Sequence, residues 1–112
     1  MKANYVWFVF ATGFGAFACG DNLPDVDCSG EAPKFADVTA LTKCATCHSS
    51  KVSSSARKGA PASVNFDTES AANAKAEDAA SEVNGGDMPP AGSGISLSEE
   101  EKQALYKWAL CR

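Results

Sequence analysis

The chain has 112 residues, ten of them basic and fourteen acidic, and carries a net charge of −4. That length allows one domain. The acidic balance argues against nucleic acid and anionic membrane surfaces as partners, and no block of five or six like charges marks an acidic tail.

Residues 1–18, MKANYVWFVFATGFGAFA, open with one lysine, run apolar from Tyr5 and exit through the small residues Ala16 and Ala18. This is the layout of a secretory signal peptide. Its apolar run of about 14 residues is shorter than the roughly 20 that a spanning helix needs, although an uncleaved anchor is the alternative. Removing it leaves nine basic against fourteen acidic residues, a charge of −5, and only Phe35, Phe66, Tyr106 and Trp108 as aromatics. A domain so small and so poor in large side chains needs a disulfide, a metal or a cofactor to complete its core.

Residues 19–32 read as a polar tether with scattered acids and no periodicity, leaving one domain over 33–112. A first helix is predicted over 34–43, because Phe35, Val38 and Leu41 recur on one face and Pro33 suits its start. Residues 49–66 are serine-rich, broken by Gly59 and Pro61, and read as irregular. An alanine-rich helix follows over 68–83, with Asp67 and Thr68 as capping candidates and Gly85-Gly86 as its stop. The stretch GGDMPPAGSGIS is a loop, since Pro89-Pro90 cannot sit inside a helix. Ser98 and Glu101 then form a capping box, Glu99 and Glu100 favour the positive helix end, and Leu105, Trp108 and Cys111 share one face. No strand-like alternation appears, so the expected fold class is all-α.

The segment TKCATCHSS, residues 42–50, concentrates the chemistry. On a helical turn Cys44, Cys47 and His48 share one face. The two thiols can add across the vinyl groups of one porphyrin, and the imidazole can then ligate its iron. C-x-x-C-H is the attachment signal for c-type haem. A zinc site would want four ligands, usually from two pairs, and no second pair exists. A thioredoxin-like dithiol would want a βαβ setting that the flanks do not show. His48 is the only histidine, and Met88 is the only methionine besides Met1. Met88 is therefore the candidate second axial ligand, with gap-filling in the core as the plainer role. A residue before proline is held extended, which suits a side chain aimed at the other haem face.

Taken in order, CATCH, GAPASVNFDT, GGDMPP and LSEEEKQALYKWALC resemble the class I, mono-haem cytochrome c family over residues 33–111. The resemblance implies a small fold with crossing N- and C-terminal helices around a covalently attached haem, setting Phe35 against the Leu105–Trp108 face. It also implies a proline carbonyl beside the proximal imidazole N–H, and Pro61 occupies the matching stretch. With His48 and Met88 both ligating, the iron has no open site, so the expected function is electron carriage with redox proteins as partners, and no enzyme activity. Two alternatives stand beside it: a haem sensor or weak peroxidase with an open sixth site, and a small haem subunit of a larger membrane oxidoreductase.

Haem is attached to such motifs outside the cytoplasmic membrane, so an extracytoplasmic, periplasmic location is expected. AFACGDN resembles a bacterial lipoprotein signal with Cys19 lipidated and the protein held to the membrane, although Ala16-Phe17-Ala18 also fits ordinary signal cleavage. Of five cysteines, two are assigned to haem, and lipid on Cys19 would leave Cys28 and Cys111 as an even pair, a predicted disulfide. Lys51, Arg57 and Lys58 gather after the haem motif. They read either as a cationic docking patch or as an ordinary solvated loop.

Overall fold

A computed structural model of the chain describes residues 22–112. The signal peptide expected over 1–18 and the lipidation expected at Cys19 lie outside those residues. The described residues form helices and connecting turns, with no strand among them. A 3₁₀ turn, Phe35–Asp37, precedes helix α1, Thr39–Cys44. A second 3₁₀ turn, Ser54–Arg57, lies in the long connection to α2, Glu69–Ala74; α3, Ala76–Asn84, and α4, Glu99–Leu110, follow.

Helix α4 forms as the sequence predicts. The Ser98 hydroxyl accepts from the Glu101 N–H at 3.1 Å, and the Glu101 carboxylate accepts from the Ser98 N–H at 3.3 Å. These two bonds satisfy donors that a helix start otherwise leaves open. Leu105, Tyr106, Trp108 and Ala109 bury the inner face against α1 and α3. Phe35 meets Trp108 with ring centroids 6.5 Å apart, in a tilted arrangement.

The first helix differs from the expected 34–43. Val38 takes an extended conformation (φ −92°, ψ 94°) and splits the segment into the 3₁₀ turn and α1, while Val38 and Leu41 still reach the core. The alanine-rich helix is divided as well. Lys75 leaves helical geometry at φ −119°, ψ 16°, between α2 and α3. Thr68 caps α2 by accepting from the Ala71 N–H at 3.2 Å.

Six of the thirteen buried apolar side chains among the described residues are alanines, and only Leu105 and Val38 are large and completely enclosed. Such side chains allow close helix approach but supply little volume.

Cys28 and Cys111 are joined by a disulfide, with Cα atoms 5.3 Å apart and a sequence separation of 83. Closing a loop of that length stabilises by about 4–5 kcal/mol in the chain-entropy picture. Two residues within the expected polar tether, Asn22 and Val26, touch the folded domain. The Asn22 N–H donates to Ser81 Oγ at 3.1 Å, and Asn84 Nδ2 donates to the Asn22 carbonyl at 2.7 Å. Val26 packs against the core. A Cβ at Gly85 would lie 2.8 Å from Asn22 Nδ2, a contact that the Asn22 side chain can relieve by turning.

Candidate haem-binding site

The end of α1 continues as a turn in which the His48 N–H donates to the Cys44 carbonyl at 2.9 Å and the Cys47 N–H donates to the same carbonyl at 3.2 Å. That turn brings Cys44, Cys47 and His48 to one wall of a cavity of about 660 Å³. Both thiols are free and half-buried. Burial pushes the Cys44 thiol up to about 11. Such a group is not a thiolate at neutral pH, which opposes a redox-dithiol role.

The His48 imidazole is fixed from two sides. Its Nδ1 lies 3.1 Å from the Val64 carbonyl, and since a carbonyl only accepts, Nδ1 carries the proton and Nε2 is left to ligate. The Phe66 ring meets it edge-on at 5.6 Å and 84°. The Phe66 N–H donates to the His48 carbonyl at 2.7 Å. One step further on, the Ser50 hydroxyl donates to the Asp67 carboxylate at 2.6 Å and holds that carboxyl below its usual range, with the Ser50 N–H adding to the effect.

Pro61 is therefore not the partner of His48. Its carbonyl accepts from the Val64 N–H at 3.0 Å and from Arg57 Nη2 at 2.6 Å, so the turn it closes delivers the Val64 carbonyl to the imidazole instead. Arg57 also departs from the expected surface patch. It is 8% exposed, and only Lys51 and Lys58 of that trio face solvent. All five guanidinium N–H donors of Arg57 find carbonyls, belonging to Ser49, Val52, Ala60, Pro61 and Val64. Sequence reasoning missed this role. The available signal was a planar five-donor side chain within an irregular segment whose carbonyls have no helix or sheet to satisfy them.

Met88 reaches the same cavity from the loop after α3. Helix α3 ends in a Schellman motif: the Gly86 N–H donates to the Val83 carbonyl and the Asp87 N–H to the Glu82 carbonyl, with Gly86 at φ +85°. Only glycine takes that conformation without steric cost. The Met88 N–H then donates to the Glu82 carbonyl at 3.1 Å, which fixes where the side chain leaves the helix end. The loop is fastened beyond Met88 as well. Lys43 Nζ donates to the Ser96 carbonyl at 2.9 Å and pairs with Glu101 at 2.9 Å.

The cavity is walled mainly by apolar side chains, among them Val64, Phe66, Val83, Ile95 and Leu97, and its size suits a flat organic cofactor. No group of three or more His, Cys, Asp or Glu side chains among the described residues is gathered closely enough to hold a bare metal ion. A porphyrin brings four nitrogen ligands of its own, so haem asks the protein only for axial donors. One imidazole and one thioether are available here. Compared with protein-family models, with curated proteins and with solved structures, the chain matches none.

Proposed function

We propose that this chain is an extracytoplasmic electron carrier that holds one haem c, thioether-linked at Cys44 and Cys47, with His48 and Met88 as axial ligands. The observation that carries this reading is convergence. Cys44, Cys47 and His48 from one turn, and Met88 from a loop forty residues on, line one largely apolar cavity in an alanine-rich core. Haem, when bound, supplies one-electron exchange between ferric and ferrous iron.

The chain's residues set the terms of that exchange. The Val64 carbonyl fixes the His48 tautomer and ring orientation, so the ligating nitrogen is presented without reorganisation. The thioether of Met88 is a soft donor that favours the ferrous state and raises the potential. With both side chains engaged, no coordination position remains for oxygen or peroxide, which favours a carrier over an enzyme. The largely apolar wall lowers the polarity around the site, which would limit the rearrangement that accompanies electron transfer.

Export would place the protein in the periplasm, with redox proteins as partners. Lipid on Cys19 would hold it to the membrane. No helix among the described residues is long and apolar enough to cross a membrane. A redox titration of the purified protein tests the proposal. One reversible one-electron wave at the high potential of His/Met ligation is expected. A far lower potential, or none, would overturn it.

A further inference from the structure

The polar cage around Arg57 has a consequence for the iron. We infer that Arg57 is a positioning residue that raises the haem potential through the Val64 carbonyl, an inference that rests on the carrier reading above. Arg57 Nη2 donates to the Val64 carbonyl at 3.1 Å, and the same oxygen accepts from His48 Nδ1 at 3.1 Å. A carbonyl oxygen has two lone pairs, and both are thereby engaged.

An oxygen already polarised by a guanidinium is a weaker acceptor for the second donor. The imidazole proton is then drawn away less, the ring takes on less imidazolate character, and His48 becomes a less basic ligand. A more basic histidine would favour ferric iron; this arrangement favours ferrous iron.

The charge of Arg57 acts in the same direction. Arg57 is among the residues that line the cavity, is 8% exposed, and its guanidinium makes no ion pair among the described residues. Its five carbonyl partners solvate the charge without neutralising it. A buried positive charge opposes the positive charge gained on oxidation far more effectively than exposed Lys51 or Lys58, which water and salt screen. Lysine cannot replace Arg57 fully. It keeps the charge but has three donors on a flexible stem in place of a planar fork.

The test is a redox titration of the wild-type holoprotein and its Arg57→Lys and Arg57→Gln variants, with haem content measured for each. The expected order of potentials is wild type highest, Arg57→Lys between and Arg57→Gln lowest, with haem content and the absorption spectrum of the ligated iron unchanged. An Arg57→Gln protein with intact haem and the wild-type potential would overturn the inference. Absence of haem from the wild type would overturn the carrier reading itself, and would be seen before any variant is compared. If Arg57→Gln fails to mature, ¹⁵N NMR of the wild type decides. Slow exchange of both the His48 Nδ1 proton and the Arg57 guanidinium protons is expected, whereas rapid guanidinium exchange would contradict the shared carbonyl.

Discussion

The two walls of the cavity are built in opposite ways. The wall of residues 44–67 is held from within: His48 is bonded through its N–H, its carbonyl and its ring, and Arg57 ties five carbonyls of an irregular segment together. The wall of residues 85–98 is held near its ends, by the Schellman turn at Gly86 and by Lys43 on Ser96, with the Ser93 N–H to the Pro90 carbonyl as a bond inside it. Lys58 adds a 3.5 Å contact to Ser93. A wall fixed internally keeps its ligand, whereas a wall fixed at its ends can release one. On the carrier reading, the first wall would hold the attachment cysteines, His48 and the potential-raising Arg57, and the second would supply Met88 alone.

Breaking the inner wall should have the largest effect. Phe66 is 5% exposed and stacks edge-on against His48. Phe66→Ala removes that support and leaves a cavity, so it should destabilise by about 3–5 kcal/mol. Denaturant unfolding of the holoprotein measures it. A loss below about 1 kcal/mol would show that the wall does not depend on its aromatic.

Met88→Ala probes the other wall and should separate stability from ligation. Met88 is half-buried, so its truncation should cost less than about 2 kcal/mol, below the range for a fully buried methionine. On the carrier reading, haem should stay attached, because Cys44, Cys47 and His48 are untouched. The potential should fall, and the reduced variant should bind carbon monoxide. A wild-type protein that already binds carbon monoxide as readily would remove Met88 from the ligand set.

The smallest effect sharpens the contrast at the loop's far end. Lys43→Met removes an ion pair between solvent-screened groups and the bond to Ser96, so its cost should be the smallest of the three. The hydrogen bond from Lys43, followed by those from Ser98, holds the Glu101 carboxyl below its ordinary value of 4.5. A depressed folded value means that this contribution is present above pH 4.5 and is lost as pH falls through the lowered value. Acid should therefore loosen the Met88 loop in the wild type. Lys43→Met should show a flatter stability profile across that window, and an unchanged profile would contradict the role of the clasp.

What the sequence revealed follows how local each determinant is. Helix α4 was legible because its signals, Ser98 with Glu101 and the Leu105–Trp108 stripe, act within one helix. The division at Lys75 was not, since lysine is a good helix former and the buried stripe Ala72, Ala76, Ala79, Ala80, Val83 passes through it without interruption. The pairing of Cys28 with Cys111 was reached by counting thiols, and the structure joins them. The Val64 carbonyl could not be read in advance, because which backbone oxygen meets His48 depends on how residues 58–64 turn. Lys58 and Gly59, at φ +50° and +87°, help to set that course. A basic residue near two lysines reads as surface charge until the carbonyls around it are counted, and that is why Arg57 escaped.

Mass spectrometry of the denatured, mature protein tests the central claim most directly. If Cys44 and Cys47 carry haem, the mass exceeds that of the polypeptide by one haem, and neither cysteine reacts with an alkylating reagent. A polypeptide of unmodified mass, with both cysteines alkylated, would contradict it.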